Sequence, residues 1–136
     1  MQYLLDTNTC IAAMRNDPAV VQQMSTQAPG DCAISTITSY ELHTGVAKCA
    51  HPARERAKVN LLLAVLTELP FDAGAAREAA QIRALLESQG QMIGPYDVLI
   101  AGHAIATGLA LVTDNTTEFL RVPGLRVENW RTTSGT

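Results

Sequence analysis

The chain predicts an α/β domain of three layers, with helices on both faces of a central, mostly parallel sheet. Three observations carry that expectation. Short apolar runs such as Tyr3-Leu4-Leu5 and Leu109-Ala-Leu-Val112 alternate with helix-length amphipathic patterns, as strands and crossover helices do in parallel sheets. The first run stops at Asp6-Thr7-Asn8, residues that turn a chain and cap a helix. Finally, 47% of residues are hydrophobic but only 4% aromatic, so the core is aliphatic and Ala-rich, which suits helices packed on a sheet. At 136 residues this is one domain, expected over 1–131, with a frayed tail at 132–136.

In chain order, 3–5 is the first strand and Asp6 opens a helix or a site. Asn16-Asp17-Pro18 is a cap followed by proline at the first helical position, predicting a helix over 18–27 that Ala28-Pro29-Gly30 ends. Residues 31–35 form a short second strand. Thr36, Thr38 and Ser39 offer caps for a helix with Leu42, Val46 and Cys49 on one stripe; Glu41 lies at its margin and Gly45 one turn beyond. Pro52 opens a helix facing inward through Val59, Leu62, Leu63 and Leu66. Residues 68–71 are a short strand with Pro70 near its end. Asp72 caps a helix burying Ala75, Ala79, Ile82 and Leu86, stopped by Gly90. Pro95 and Gly108 bound a helix over 95–107; 109–112 and 125–127 are the last strands.

No apolar run reaches membrane-spanning length, and no basic segment precedes a signal-type core, so the expected location is the cytoplasm. Cys10, Cys32 and Cys49 are odd in number and contain no Cys-x-x-Cys pair, which favours buried reduced thiols over disulfides or a zinc site. A net charge of −3 disfavours a chain that coats nucleic acid non-specifically. Lys48, Arg54, Arg56 and Lys58 still make a local basic segment, or else a solvated helix face.

The chemistry is expected in the acids. Ligands of open α/β sheets bind outside the carboxyl ends of the strands, where Asp6 and Asp114 fall. Asp97 opens a helix apolar on nearly every side, where a carboxylate is costly unless something compensates it. Each has a bland alternative: Asp6 as a cap, Asp97 as a helix-dipole partner, Asp114 as a turn residue, and Asn115-x-x-Glu118 as a capping box. His103 lies about 120° around the helix from Asp97 and reads as a satisfied helix histidine. Together with Glu41 these acids form an all-oxygen set suited to Mg²⁺ or Mn²⁺ and to phosphoryl chemistry.

Leu5-Asp6-Thr-Asn8, Ser39-Tyr-Glu41-Leu, Ile93-Gly-Pro-Tyr-Asp97 with Ile100-Ala-Gly-His-Ala104, and Val112-Thr-Asp-Asn-Thr-Thr-Glu-Phe119 together resemble the PIN-domain ribonucleases. More narrowly they resemble the VapC toxins of type II toxin–antitoxin pairs, in register from Met1 to about Trp130. The segments from Gln89, from Asn115 and from Val122 to Trp130 look like the enterobacterial-type branch. The resemblance implies a three-layer PIN fold, Mg²⁺- or Mn²⁺-dependent RNA hydrolysis, a homodimer and a cognate VapB-type antitoxin. For this branch it also implies cleavage of a tRNA anticodon stem-loop, initiator tRNA included. It carries the site onto Asp6, Glu41 and Asp97, with Asp114 as the fourth acid and Asp6, Asp97 and Glu41 at the metal. Relatives place the fourth acid where Asn115 stands, which leaves Glu118 or a three-acid site as alternatives.

A haloacid-dehalogenase-type phosphatase would want an acid at Asn8 and a late lysine, and no lysine follows Lys58. A dinucleotide site would want Gly-x-Gly-x-x-Gly after the first strand. The remaining alternative is a PIN-fold binding module without activity.

Overall fold

The computed structural model describes residues 1–131. Its elements are β1 (Tyr3–Leu5), α1 (Thr7–Met14), α2 (Pro18–Ser25), β2 (Cys32–Ser35), α3 (Thr36–Lys48), α4 (Pro52–Val65), β3 (Thr67–Leu69), α5 (Ala73–Ser88), α6 (Pro95–Thr107), β4 (Ala110–Val112), α7 (Thr116–Phe119) and β5 (Val127–Glu128). The frayed tail expected at 132–136 lies outside the described residues.

The five strands run in the order β3-β2-β1-β4-β5, and every pairing is parallel. The predicted three-layer architecture follows from the period-2 alternation of the strands. Leu4, Ala33 and Leu111 join α5 and α6 side chains such as Ala79, Leu86, Ile100 and Ala104 in one core. The next residue of each strand, Leu5, Ile34 and Val112, points the other way into a second core with Cys10, Val20, Leu42 and Val59 from α1 to α4, and with Trp130 beyond β5. No helix among the described residues is long and apolar enough to cross a membrane.

The strand order reverses between β1 and β4, so the crevice at their carboxyl ends is the switch point where open α/β sheets bind ligands. Asp6 and Asp114 both leave the sheet there. Helix α6 arrives at the same edge because α5 holds it closely. A Cβ built on Gly102 would stand 2.5 Å from the Ala79 amide nitrogen, so only glycine permits this approach.

Candidate functional site

Asp6 does two things at once. Its amide donates to Val112 O at 3.0 Å, which ties the end of β1 to β4. Its Oδ1 accepts from the Thr9 amide at 2.8 Å, capping α1 as a helix-starting Asp should. The side chain is 3% exposed. Burial raises its pKa; the Thr113 hydroxyl and Thr9 work against that, while the charge of Asp114 adds to it. The cap and the buried acid are therefore the same residue.

Asp97 occupies the first turn of α6, whose N-cap is Gly94 and whose first residue is Pro95. A carboxylate at a helix N-terminus is ordinarily stabilised as the anion. Here the balance goes the other way. Burial pushes the Asp97 carboxyl up to about 6, and the charges of Glu118, Asp6 and Glu41 push in the same direction. Among the described residues no hydrogen-bond donor or cation is within bonding reach of Asp97. A Cβ on Gly94 would lie 3.0 Å from Asp97 Oδ2, so the glycine leaves the room in which this carboxylate folds back over the helix start.

Glu41 sits on α3, half-buried, and its Oε1 accepts from the Thr7 hydroxyl at 2.6 Å. Thr7 begins α1, directly after Asp6, so the two acids are linked through adjacent residues. The Gly45 position, one turn on, is open: an added Cβ would meet nothing within 4 Å. Beside it a cavity of about 480 Å³ runs between α1, α3 and α4, lined by Ile11, Met14, Glu41 and Val46, with Arg15 and Arg54 also on its wall.

The two candidates for a fourth acid are held differently. Asp114 Oδ2 accepts from Arg131 Nη1 at 2.7 Å, and the same guanidinium stands 3.4 Å from Asp17. Glu118 does not close a capping box onto the Asn115 amide. Its Oε1 instead accepts from the Gly94 amide at 3.0 Å and its Oε2 from the Asn115 side chain, so α7 is stapled to the start of α6. Glu118 is the first of the charges that raise Asp97, and Asp114 is not among them. Sequence spacing alone leaves Glu118 as a cap; its position depends on where α6 begins, 24 residues earlier.

His103 is buried away from the acids, with Nδ1 2.8 Å from the Ser35 hydroxyl and its ring edge-on to Phe71. Cys10 and Cys32 are buried free thiols and Cys49 a half-buried one.

Among the described residues no three Asp, Glu, His or Cys side chains stand together in position to grip a metal ion. The hydrogen bonds explain the spacing: Thr9 holds Asp6, Thr7 holds Glu41, and Gly94 with Asn115 holds Glu118. The donor set nevertheless fits a hard divalent cation, being carboxylate oxygen throughout, with one member raised by burial and by its acidic neighbours.

Residues 3–125 match the PIN domain family. The chain is 43% identical over 130 residues to a protein named tRNA(fMet)-specific endonuclease VapC of Shigella flexneri, covering 96% of this chain and 98% of that one. It is 38% identical, with the same coverage, to Ribonuclease VapC2 of Haemophilus influenzae. Among solved structures it resembles DNA-bound VapBC from Salmonella typhimurium, with a TM-score of 0.91, 41% identity and coverage of 96% and 98%. VapBC2 of Rickettsia felis, bound to a promoter DNA fragment, superposes with a TM-score of 0.90 at 37% identity, covering 96% and 99%.

Proposed function

The chain belongs to the PIN-domain family and to its VapC branch, and from that premise we propose that it is a toxin that halts translation by cutting tRNA. The proposed reaction is divalent-metal-dependent endonucleolytic hydrolysis of an anticodon stem-loop, with initiator tRNA the favoured substrate, as the Shigella relative's name suggests. The observation that supports it best is Asp97: a half-buried carboxylate without a hydrogen-bond donor among the described residues, raised to about 6 by burial and by the charges of Glu118, Asp6 and Glu41. A stability-driven sequence would not assemble that group without a cation to receive it.

In this reading Asp6 and Asp97 would hold Mg²⁺ or Mn²⁺, and Glu41 a ligating water or a second ion. The cation supplies neutralisation of the phosphate charge, activation of water and relief of the leaving oxygen. The chain's own part is positional. Thr9 and Thr113 hold Asp6 at the end of β1, Thr7 fixes the direction of Glu41, and Gly94 gives Asp97 its room. We include Glu118 as well as Asp114 as candidates for the fourth acid. Glu118 is supported by its effect on Asp97, while Asp114 contributes a charge that reaches Asp6.

Such a toxin needs a cognate VapB-type antitoxin, and the relatives crystallised as VapBC complexes support one here. The cavity between α1, α3 and α4 offers an antitoxin tail an aliphatic floor ending at Glu41, from which an arginine fork could reach the acids. A cytoplasmic location and a homodimer complete the proposal.

The test is to map new RNA ends after brief induction of the wild type and of an Asp6→Asn, Asp97→Asn double variant. The expected result is one dominant cut in a tRNA anticodon loop, with 3′-hydroxyl and 5′-phosphate ends, absent from the double variant. Ends carrying a 2′,3′-cyclic phosphate would overturn attack by water, and identical ends from the double variant would overturn the site.

A further inference from the structure

Six aromatic side chains occur in the sequence. Phe119 and Trp130 are buried, Tyr3 and Phe71 half-buried, and two are exposed: Tyr40 at 54% and Tyr96 at 41%. Those two are the residues immediately before Glu41 and Asp97. Although 56 positions apart, they meet across α3 and α6. Their hydroxyls lie 3.2 Å apart, and their ring centroids 5.6 Å apart with planes tilted by 53°.

Exposed tyrosines that meet between two helices need a reason, since a ring left in water contributes little to folding. Packing against the core is not the reason, because both residues are exposed and neither joins a core cluster. The tilt matters too: rings at 53° do not cover one another, so each keeps an open face. The shared hydroxyl bond holds both rings in fixed orientation without filling those faces. The pair also stands where α3 and α6 bring their acids: Tyr40 directly precedes Glu41, and Tyr96 directly precedes Asp97 in the first turn of α6.

Resting on the proposed RNA cleavage, we infer that Tyr40 and Tyr96 form a stacking platform for an unpaired nucleobase next to the scissile phosphate. Single-stranded bases splayed from a loop are held in this way by aromatic faces, which accept any base and carry no charge. The need is clear from the charge distribution. A site of carboxylates repels the phosphate backbone and the chain is net −3, which opposes the ion pairing that Arg15 and Arg54 on the neighbouring cavity wall offer, so an uncharged contact beside the cut adds affinity. A pair of rings anchored by their own hydroxyl contact supplies it.

The experiment is steady-state cleavage of a synthetic tRNA anticodon stem-loop, with a fluorescent adenine analogue in its loop, by the wild type and by Tyr40→Ala, Tyr96→Ala and both Phe variants. Each Ala variant is expected to raise KM by about 5-fold to 100-fold, the range of a lost base–ring stack, with a smaller change in kcat. Phe should recover most of that loss, and the fold-change should be the same at low and high salt because no charge is removed. Quenching of the fluorescent base on binding should weaken in the Ala variants. Since both residues are exposed, thermal unfolding verifies the fold of each variant. Wild-type cleavage with an unchanged KM in both Ala variants overturns the platform while leaving the RNase reading standing. So does a loss in the Phe variants equal to that in the Ala variants, or a loss confined to binding of the antitoxin. A wild type that neither binds nor cuts the RNA overturns both.

Discussion

Asp97 is placed where helix geometry would favour the anion, yet burial and three acidic neighbours hold its carboxyl at about 6, up from 3.8. The sign of the consequence follows from linkage. A group whose folded pKa is raised contributes stability that is fully present below 3.8 and lost as pH rises through about 6. Asp6 is displaced in the same direction, mainly by burial. The metal-free chain should therefore lose stability between about pH 4 and pH 7, and Asp97→Asn should flatten that slope. Chelator-treated protein followed by denaturant unfolding across this range checks it; an unchanged slope in Asp97→Asn would show that the acids do not interact as described. The residue scale is also where the sequence was most informative. Asp6 and Asp97 are legible as acids at a strand end and a buried helix start. The role of Glu118 was hidden, because it is a bond to Gly94 rather than to its own helix.

Local punctuation sets helix starts and some ends: α2 begins at the predicted Pro18 but stops at Ser25 rather than 27, where the Thr26 and Gln27 amides close i→i−3 turns on Gln23 and Met24. Pro95 and Gly108, the latter at φ 72°, enclose α6 over the predicted 95–107. Ala75, Ala79, Ile82 and Leu86 are all buried on α5, and Val59, Leu62 and Leu66 around α4. The strands shift by a residue or two where tertiary bonds decide. β3 ends at Leu69 rather than at 71, since Pro70 has no amide to donate and the Phe71 amide turns to the Thr36 hydroxyl at 3.0 Å. β5 is Val127–Glu128 rather than 125–127. Gly124 has a φ of 80°, the Leu125 amide closes a turn on Val122 O, and β4 sets the register by pairing Leu111 with Val127. No local pattern announces the closeness of α5 and α6 at Gly102. Gly102→Ala would force its Cβ into the Ala79 backbone, so destabilisation of about 1–3 kcal/mol is expected, read as a lower urea midpoint with unchanged slope. An unchanged midpoint would mean that the α5–α6 approach is looser than 2.5 Å implies.

At the scale of the molecule, two cores on opposite faces of a parallel sheet hold rigid the edge at which the chain switches direction. Elements far apart in sequence deliver acids to that edge: β1 brings Asp6, α3 Glu41, α6 Asp97 and α7 Glu118. Arg131, the last described residue, is tied in as well, between Asp17 and Asp114. Elsewhere acids are placed at ordinary tasks, capping α2 with Asp17 and α5 with Asp72. The central claim is that Asp97, which has no such task among the described residues, and the acids around it serve a divalent cation. The most direct measurement is the thermal midpoint of the wild type and of Asp97→Asn at pH 7, each in chelator and in excess Mn²⁺. The wild type should rise with Mn²⁺ by mass action. Asp97→Asn should start no lower in chelator, having lost a repelled charge, and should gain little from the ion. A midpoint that climbs equally in both proteins, or an Asp97→Asn chain that is already destabilised in chelator, would contradict it.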